Sequence, residues 1–197
     1  GAGKTTIVKL LLNLYRPSSG RITIDGVDIN KFAVEEYWKN IGAVFQEFIQ
    51  YPFDVNHNIG FGCVEKGFDS ECIKDAAKKS GAYEFVSKLK NGFETNLKKG
   101  WEESTQLSLG QWQKIAISRV FMEDFPILVL DEPTASVDAR TEYELYNKIK
   151  MLINDRTCIL ISHRLSTVKL LNTIFVLENH CLVEKGTHEE LMKKNKV

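Results

Sequence analysis

The amino-acid sequence predicts an α/β protein built on a mostly parallel sheet, with a helical portion inserted into it. Strand-type and helix-type patterns alternate along most of the chain, as they do where helices cover a parallel sheet. The chain opens with Gly1-Ala2-Gly3-Lys4-Thr5-Thr6, the distal half of the phosphate-loop pattern G-x-x-x-x-G-K-[ST], and a helical run follows at once. A third observation is the apolar run Ile127–Leu130, which ends in Asp131-Glu132. It reads as a buried strand carrying two carboxylates to the edge of the sheet where ligands bind in open α/β proteins.

Taken in order, Ile7-Val8-Lys9-Leu10-Leu11-Leu12-Asn13-Leu14 has a helical pattern, and Pro17-Ser18-Ser19-Gly20 is turn chemistry. Arg21–Ile24 alternates like a half-buried strand and meets the Asp25-Gly26 turn, which predicts a hairpin. Ile41–Phe45 is a short apolar strand ending at Gln46. From about 69 to 90 the pattern is helical: Ile73, Ala76 and Ala77 share one face, Gly81 breaks the run, and Phe85, Val86 and Leu89 form the next face. Ser108 is placed to cap a helix whose buried stripe is Trp112, Ile115, Ala116 and Val120. Residues 138–152 are expected to be helical, and 157–161 and 173–177 to be strands. Thr187-His188-Glu189-Glu190 is a capping box opening a last helix.

A chain of 197 residues with 43% hydrophobic composition can bury one substantial core. Its 26 basic and 26 acidic residues balance, so no long-range field favours nucleic acid or an anionic surface, and no nucleic-acid partner is expected. Cys63, Cys72, Cys158 and Cys181 lack metal-ligand spacing and are read as reduced thiols. No apolar run reaches the roughly 18 residues needed to cross a bilayer. Since the first glycine of the phosphate-loop pattern would lie upstream of Gly1, the sequence reads as a fragment missing its N-terminal segment.

The chemistry follows from the residue types. Glycines let backbone N–H groups crowd around phosphate oxygens, the helix start is electropositive, Lys4 adds a mobile charge, and Thr5 offers a hydroxyl to Mg²⁺. The expected ligand is a nucleoside triphosphate. In that setting Asp131 serves the metal through its water shell, and Glu132 polarises the attacking water.

Leu107-Ser108-Leu109-Gly110-Gln111, followed by Asp131-Glu132-Pro133-Thr134-Ala135-Ser136-Val137-Asp138, resembles the ATP-binding cassette family. The resemblance covers the whole chain and implies a P-loop NTPase (RecA-like) core with a mostly parallel sheet, plus a helical subdomain. The core is expected in residues 1–46 and 117–197, and the subdomain with the signature motif in 47–116. By this resemblance Gly1, Ala2, Gly3, Lys4, Thr5 and Thr6 bind ATP, and Thr5, Gln46 and Asp131 bind Mg²⁺. Glu132, His163 and Gln46 are then catalytic, Gln46 following one strand and His163 another. Ser108, Gly110, Gln111 and Asp138 face the ATP held by a second cassette domain, so the implied partner is another nucleotide-binding domain in a homo- or heterodimer. Leu109 departs from the family pattern, which has glycine there, and puts rate and symmetry in question. His57, His180 and His188 match nothing in the pattern and are read as ordinary residues.

Residues 47–62 resemble the region after the glutamine loop of exporters, where a coupling helix of the membrane domain docks. Tyr51, Phe53 and Phe61 there suit either that contact or packing of the hinge between core and helical insert. Lys99-Gly100-Trp101-Glu102-Glu103 resembles the exporter loop that crosses to the partner. The resemblance therefore implies the ATPase domain of an exporter at the cytoplasmic face of the cell membrane, with its transmembrane domain upstream on the same chain. The alternatives are a separate ATPase subunit of another transporter, a soluble non-transport cassette ATPase, and a binding-only regulatory cassette; the last is disfavoured by Glu132 and His163.

Overall fold

A computed structural model describes residues 3–97, 100, 104–134, 139–153, 156–169 and 171–193. Helix α1 (Lys4–Leu11) is followed by β1 (Thr23–Ile24), β2 (Val27–Asp28), α2 (Val34–Trp38) and β3 (Ile41–Val44). Then come α3 (Val55–Gly60), α4 (Ser70–Ser80), α5 (Tyr83–Val86), α6 (Leu109–Val120) and β4 (Ile127–Asp131). The remaining elements are α7 (Ala139–Ile153), β5 (Thr157–Ile161), α8 (Leu165–Val168), β6 (Ile174–Glu178), β7 (Cys181–Gly186) and α9 (His188–Lys193).

Strands β3, β4 and β5 form a parallel sheet in that order, with Val44 opposite Leu130 and Asp131 opposite Ile161. The middle strand, β4, is buried on both faces, which is why its sequence is a continuous apolar run. Alternation sends its side chains to two different cores. Val129 packs with Val8, Leu12, Ile29, Tyr37 and Ile41 on the α1 side. Leu128 and Leu130 pack with Ile117 and Val120 of α6 and with Leu145, Ile149 and Leu152 of α7. Truncating Leu130 to alanine would cost about 2–5 kcal/mol.

A third cluster lies among helices: Val55 and Ile59 of α3, Ile73, Ala76 and Ala77 of α4, Val86 of α5, and Trp112 and Ile115 of α6. One helix thus feeds two cores, since α6 gives Trp112 and Ile115 to the helical cluster and Ile117 and Val120 to the sheet. The helical run expected from 69 to 90 is divided. It stops at Gly81, whose φ of 79° is the left-handed cap that glycine adopts without strain, and resumes only for the single turn of α5.

Strands β6 and β7 pair antiparallel as a separate hairpin, with a bulge between Val176 and Leu177. Cys158 is pushed up to about 11 by burial, so its thiol stays protonated and inert at neutral pH. No helix among the described residues is long and apolar enough to cross a membrane.

Candidate functional site

The parallel sheet aims three loops at one place. Gln46 follows β3, Glu132 follows β4, and His163 follows β5, all at the strands' C-terminal ends. With the first turn of α1 they line a cleft of about 440 Å³ walled by Gly3, Lys4, Thr5, Thr6, Gln46, Glu132, His163 and His180. Gly3 has φ 87°, and no side chain caps the α1 start, so its N-terminal N–H groups remain available to an anion.

Glu132 is held from several sides. Its N–H donates to the Ile161 carbonyl at 2.9 Å, extending the β4–β5 ladder by one residue. Its φ of 47° is a left-handed conformation that a residue with a Cβ adopts only at some strain, as residues at functional sites often do. Buried Gln113 of α6 donates its side-chain amide to the carbonyl of Pro133, tying the helix to the loop that carries the carboxylate. Glu132 Oε1 lies 2.5 Å from Nε2 of His163; the carboxylate is 12% exposed and the imidazole 64%. A largely buried carboxylate is thereby paired with a ring that faces the open side of the cleft.

Asp131 sits behind this pair and is 2% exposed. Burial, and then the negative charge of Glu132, raise its carboxyl above the ordinary value of 3.8; a hydrogen bond from the Thr5 hydroxyl and the charge of Lys4 work against that rise. Two carboxylates and a hydroxyl crowded at a phosphate loop form an oxygen donor set that a hard divalent cation would relieve of repulsion. Among the described residues, no group of three or more His, Cys, Asp and Glu side chains could hold a metal ion. Thr5, Asp131 and Gln46 fit Mg²⁺ as a cation carried mostly by water and phosphate oxygens, which is its usual habit.

The structure therefore brings together Gly3, Lys4, Thr5, Thr6, Gln46, Asp131, Glu132 and His163. Ser108, Gly110 and Gln111 do not line this cleft; they begin α6, beside a separate cavity of about 630 Å³ walled by Gln50, Tyr51, Leu107, Leu109 and Trp112. There Ser108 caps the helix as its sequence predicts, with Gln111 closing a capping box. Gly1, Ala2 and Asp138 lie outside the described residues, as does most of the 99–103 segment.

Sequence reasoning missed His180 and a pairing of Asn58 with Arg119. His180, read as an ordinary residue, reaches the cleft from the turn between β6 and β7. Buried Asn58 and half-buried Arg119 together hold the segment after Gln46. Arg119 donates to the carbonyls of Asn58 at 2.8 Å and Ile49 at 2.9 Å, and lies over the Tyr51 ring. Asn58 donates to the carbonyls of Tyr51 at 3.0 Å and Asp54 at 3.0 Å. Burial lowers the Arg119 pKa, and these carbonyl acceptors replace the water that it loses. An Asn and an Arg separated by 61 positions gave no sequence signal of this pairing. Of the aromatic residues, Tyr51 and Phe61 pack edge to face at 4.7 Å, and Phe53 meets Phe61 edge to face at 5.7 Å while staying 46% exposed; aliphatic Ile49 is 60% exposed.

A parallel sheet, a phosphate loop opening a helix, and a strand-end carboxylate pair define a P-loop NTPase fold. The ABC transporter family model matches residues 1–135, and the chain belongs to that family. It is 36% identical to an ATP-dependent lipid A-core flippase of Alcanivorax borkumensis, over 99% of this chain and 33% of that protein. It is 39% identical to ABC transporter B family member 28 of Arabidopsis thaliana, over 98% of this chain and 26% of that protein. A solved bacterial Atm1-family ABC exporter with ATP bound superposes with a TM-score of 0.89 at 34% identity, covering 100% of this chain and 33% of that one. The chain thus spans a quarter to a third of the length of these relatives.

Proposed function

We propose that this chain is the ATP-hydrolysing domain of an ABC exporter, pairing with a second cassette domain around ATP to drive transport across a membrane. The observation that carries the reading is the Glu132–His163 pair in a cleft whose other wall is the uncapped start of α1. Lys4 and the α1 N–H groups hold the β- and γ-phosphates, and the residues Gly1 to Thr6 together bind ATP. Thr5, Gln46 and Asp131 would hold Mg²⁺, whose charge would offset that of the phosphates. Glu132 takes the proton of the attacking water, His163 orients that carboxylate and contacts the γ-phosphate, and Gln46 positions the water. A carboxylate positioned in this way contributes roughly 10²–10⁴ in rate.

Residues 1–46 and 117–197 form the ATP-binding core in this reading, and 47–116 the helical subdomain. Ser108, Gly110, Gln111 and Asp138 contact the partner's nucleotide. Exposed Phe53 and Ile49 offer an apolar surface for a membrane domain upstream on the same chain, at the cytoplasmic face of the cell membrane. The test is Glu132→Gln in the full-length protein. The variant should bind Mg-ATP, accumulate as a dimer, and lose turnover by about 10²-fold or more. Normal hydrolysis by the variant would remove Glu132 from the mechanism, and a species that stays monomeric with ATP would remove the dimer.

A further inference from the structure

We propose that His180 is a nucleotide-binding residue, reaching the phosphates from the tip of the β6–β7 hairpin. The inference rests on reading the cleft as the ATP phosphate site. His180 lines the same cleft as Gly3, Lys4, Thr5 and Thr6. Its Nδ1 lies 3.4 Å from the point where a Cβ on Gly3 would stand, so the imidazole packs against the phosphate loop itself. A Cβ at position 3 would only touch the ring; it is the φ of 87° that calls for glycine there. Among the described residues no hydrogen bond or ion pair engages the ring, and the nearby carboxylate of Glu132 is taken up by His163.

The turn that carries the ring is a second, independent observation. Glu178 and Cys181 are paired strand ends, so Asn179 and His180 alone make the loop. Their φ angles are 47° and 65°, two consecutive left-handed residues, the geometry of a primed hairpin turn. Asparagine followed by glycine suits such a turn, because the second position strains a residue that has a Cβ. Here a histidine occupies it. Strain of this kind persists at ligand clamps, and a two-residue loop fixes the direction of the ring far better than a long one. An imidazole N–H is a fitting donor to a phosphate oxygen.

Glycine should suit the turn at least as well, so His180→Gly separates binding from folding. In the full-length protein, His180→Gly should weaken ATP and ADP binding by about 3- to 10-fold, as loss of one donor to a charged oxygen predicts. Its thermal midpoint should be unchanged or higher. His180→Asn, which tolerates the left-handed backbone and keeps an N–H donor, should fall between. If Lys4→Ala removes binding while His180→Gly binds both nucleotides as tightly as the parent, His180 is only a turn residue and the inference falls. If Lys4→Ala leaves binding intact, the reading of the cleft fails first, and the role of His180 fails with it.

Discussion

Helix α1 starts from Gly3, in the left-handed region at φ 87°, with no side chain bonded to its first N–H groups. Helix α6 starts from Ser108, whose Oγ accepts the Gln111 N–H at 3.3 Å while Gln111 Oε1 accepts the Ser108 N–H at 2.8 Å. Both helix ends are electropositive, but a capping box satisfies one of the first-turn donors of α6, whereas no side chain satisfies any of those of α1. The open end offers its donors to water or to an incoming anion. The closed end is stable without one, so a ligand brought to it must be met by the serine hydroxyl and the backbone at Gly110. The contrast supports the proposal that α1 binds phosphate first and that α6 acts on contact with a partner.

Four substitutions break or sharpen that contrast, from large effect to small. Lys4→Ala keeps a good helix former in the first turn of α1 but removes the charge from the open end. ATP affinity should fall about 10- to 100-fold with little change in thermal midpoint, as read by titration calorimetry and melting. Loss of the fold instead would mean that Lys4 is structural.

Asp131→Asn tests the carboxylate behind the open end. Because the Asp131 carboxyl is raised in the fold, the folded chain holds that proton more tightly than the unfolded chain does. Ionisation therefore removes stability as pH climbs from the ordinary carboxylate range to the raised value, and the loss persists at pH 7. The asparagine variant should melt higher than the parent at pH 7 without nucleotide, with the difference vanishing in acid, and should hydrolyse Mg-ATP poorly. A lower melting point at pH 7 would contradict the direction of the shift.

Ser108→Ala opens the closed end and should cost about 1 kcal/mol of stability, measured by denaturant melts. Nucleotide affinity of the isolated protomer should hold, while turnover of the dimer drops. Leu109→Gly has the smallest expected effect. Leu109 is 47% exposed, so its removal takes little from the core, and glycine near a helix start costs under about 1 kcal/mol. Turnover should rise if leucine obstructs the partner's nucleotide, and an unchanged rate would show that the position is indifferent.

Elements with strong local chemistry were legible in the sequence. Gly81 marked the end of α4, Ser108 the start of α6, and Thr187 with Glu190 the start of α9, where the reciprocal bonds are 2.8 and 3.2 Å. β4 was readable because burial on both faces leaves a run with no polar interruption. β7 and α2 were not anticipated. β7 has Leu182 and Val183 exposed side by side, so it shows no alternation, and α2 is a single turn with Ala33 at its start and no side-chain cap. Within the site, residues that follow strands or sit in the phosphate loop were identifiable from position along the chain. His180, Gln113 and Arg119 were not, since what they do depends on surfaces brought together from distant segments.

Helix α6 carries the signature residues at its first turn and Arg119 in its last, a separation of about 16 Å along a continuous α-helix. Its far end grips the strip around Ile49 and Asn58 through carbonyls, and its middle is wedged between two hydrophobic clusters. Such a rod transmits tilt with little bending. A push on the strip after Gln46 would swing Ser108 through an arc, so mechanical work done at one surface arrives at the other as rotation.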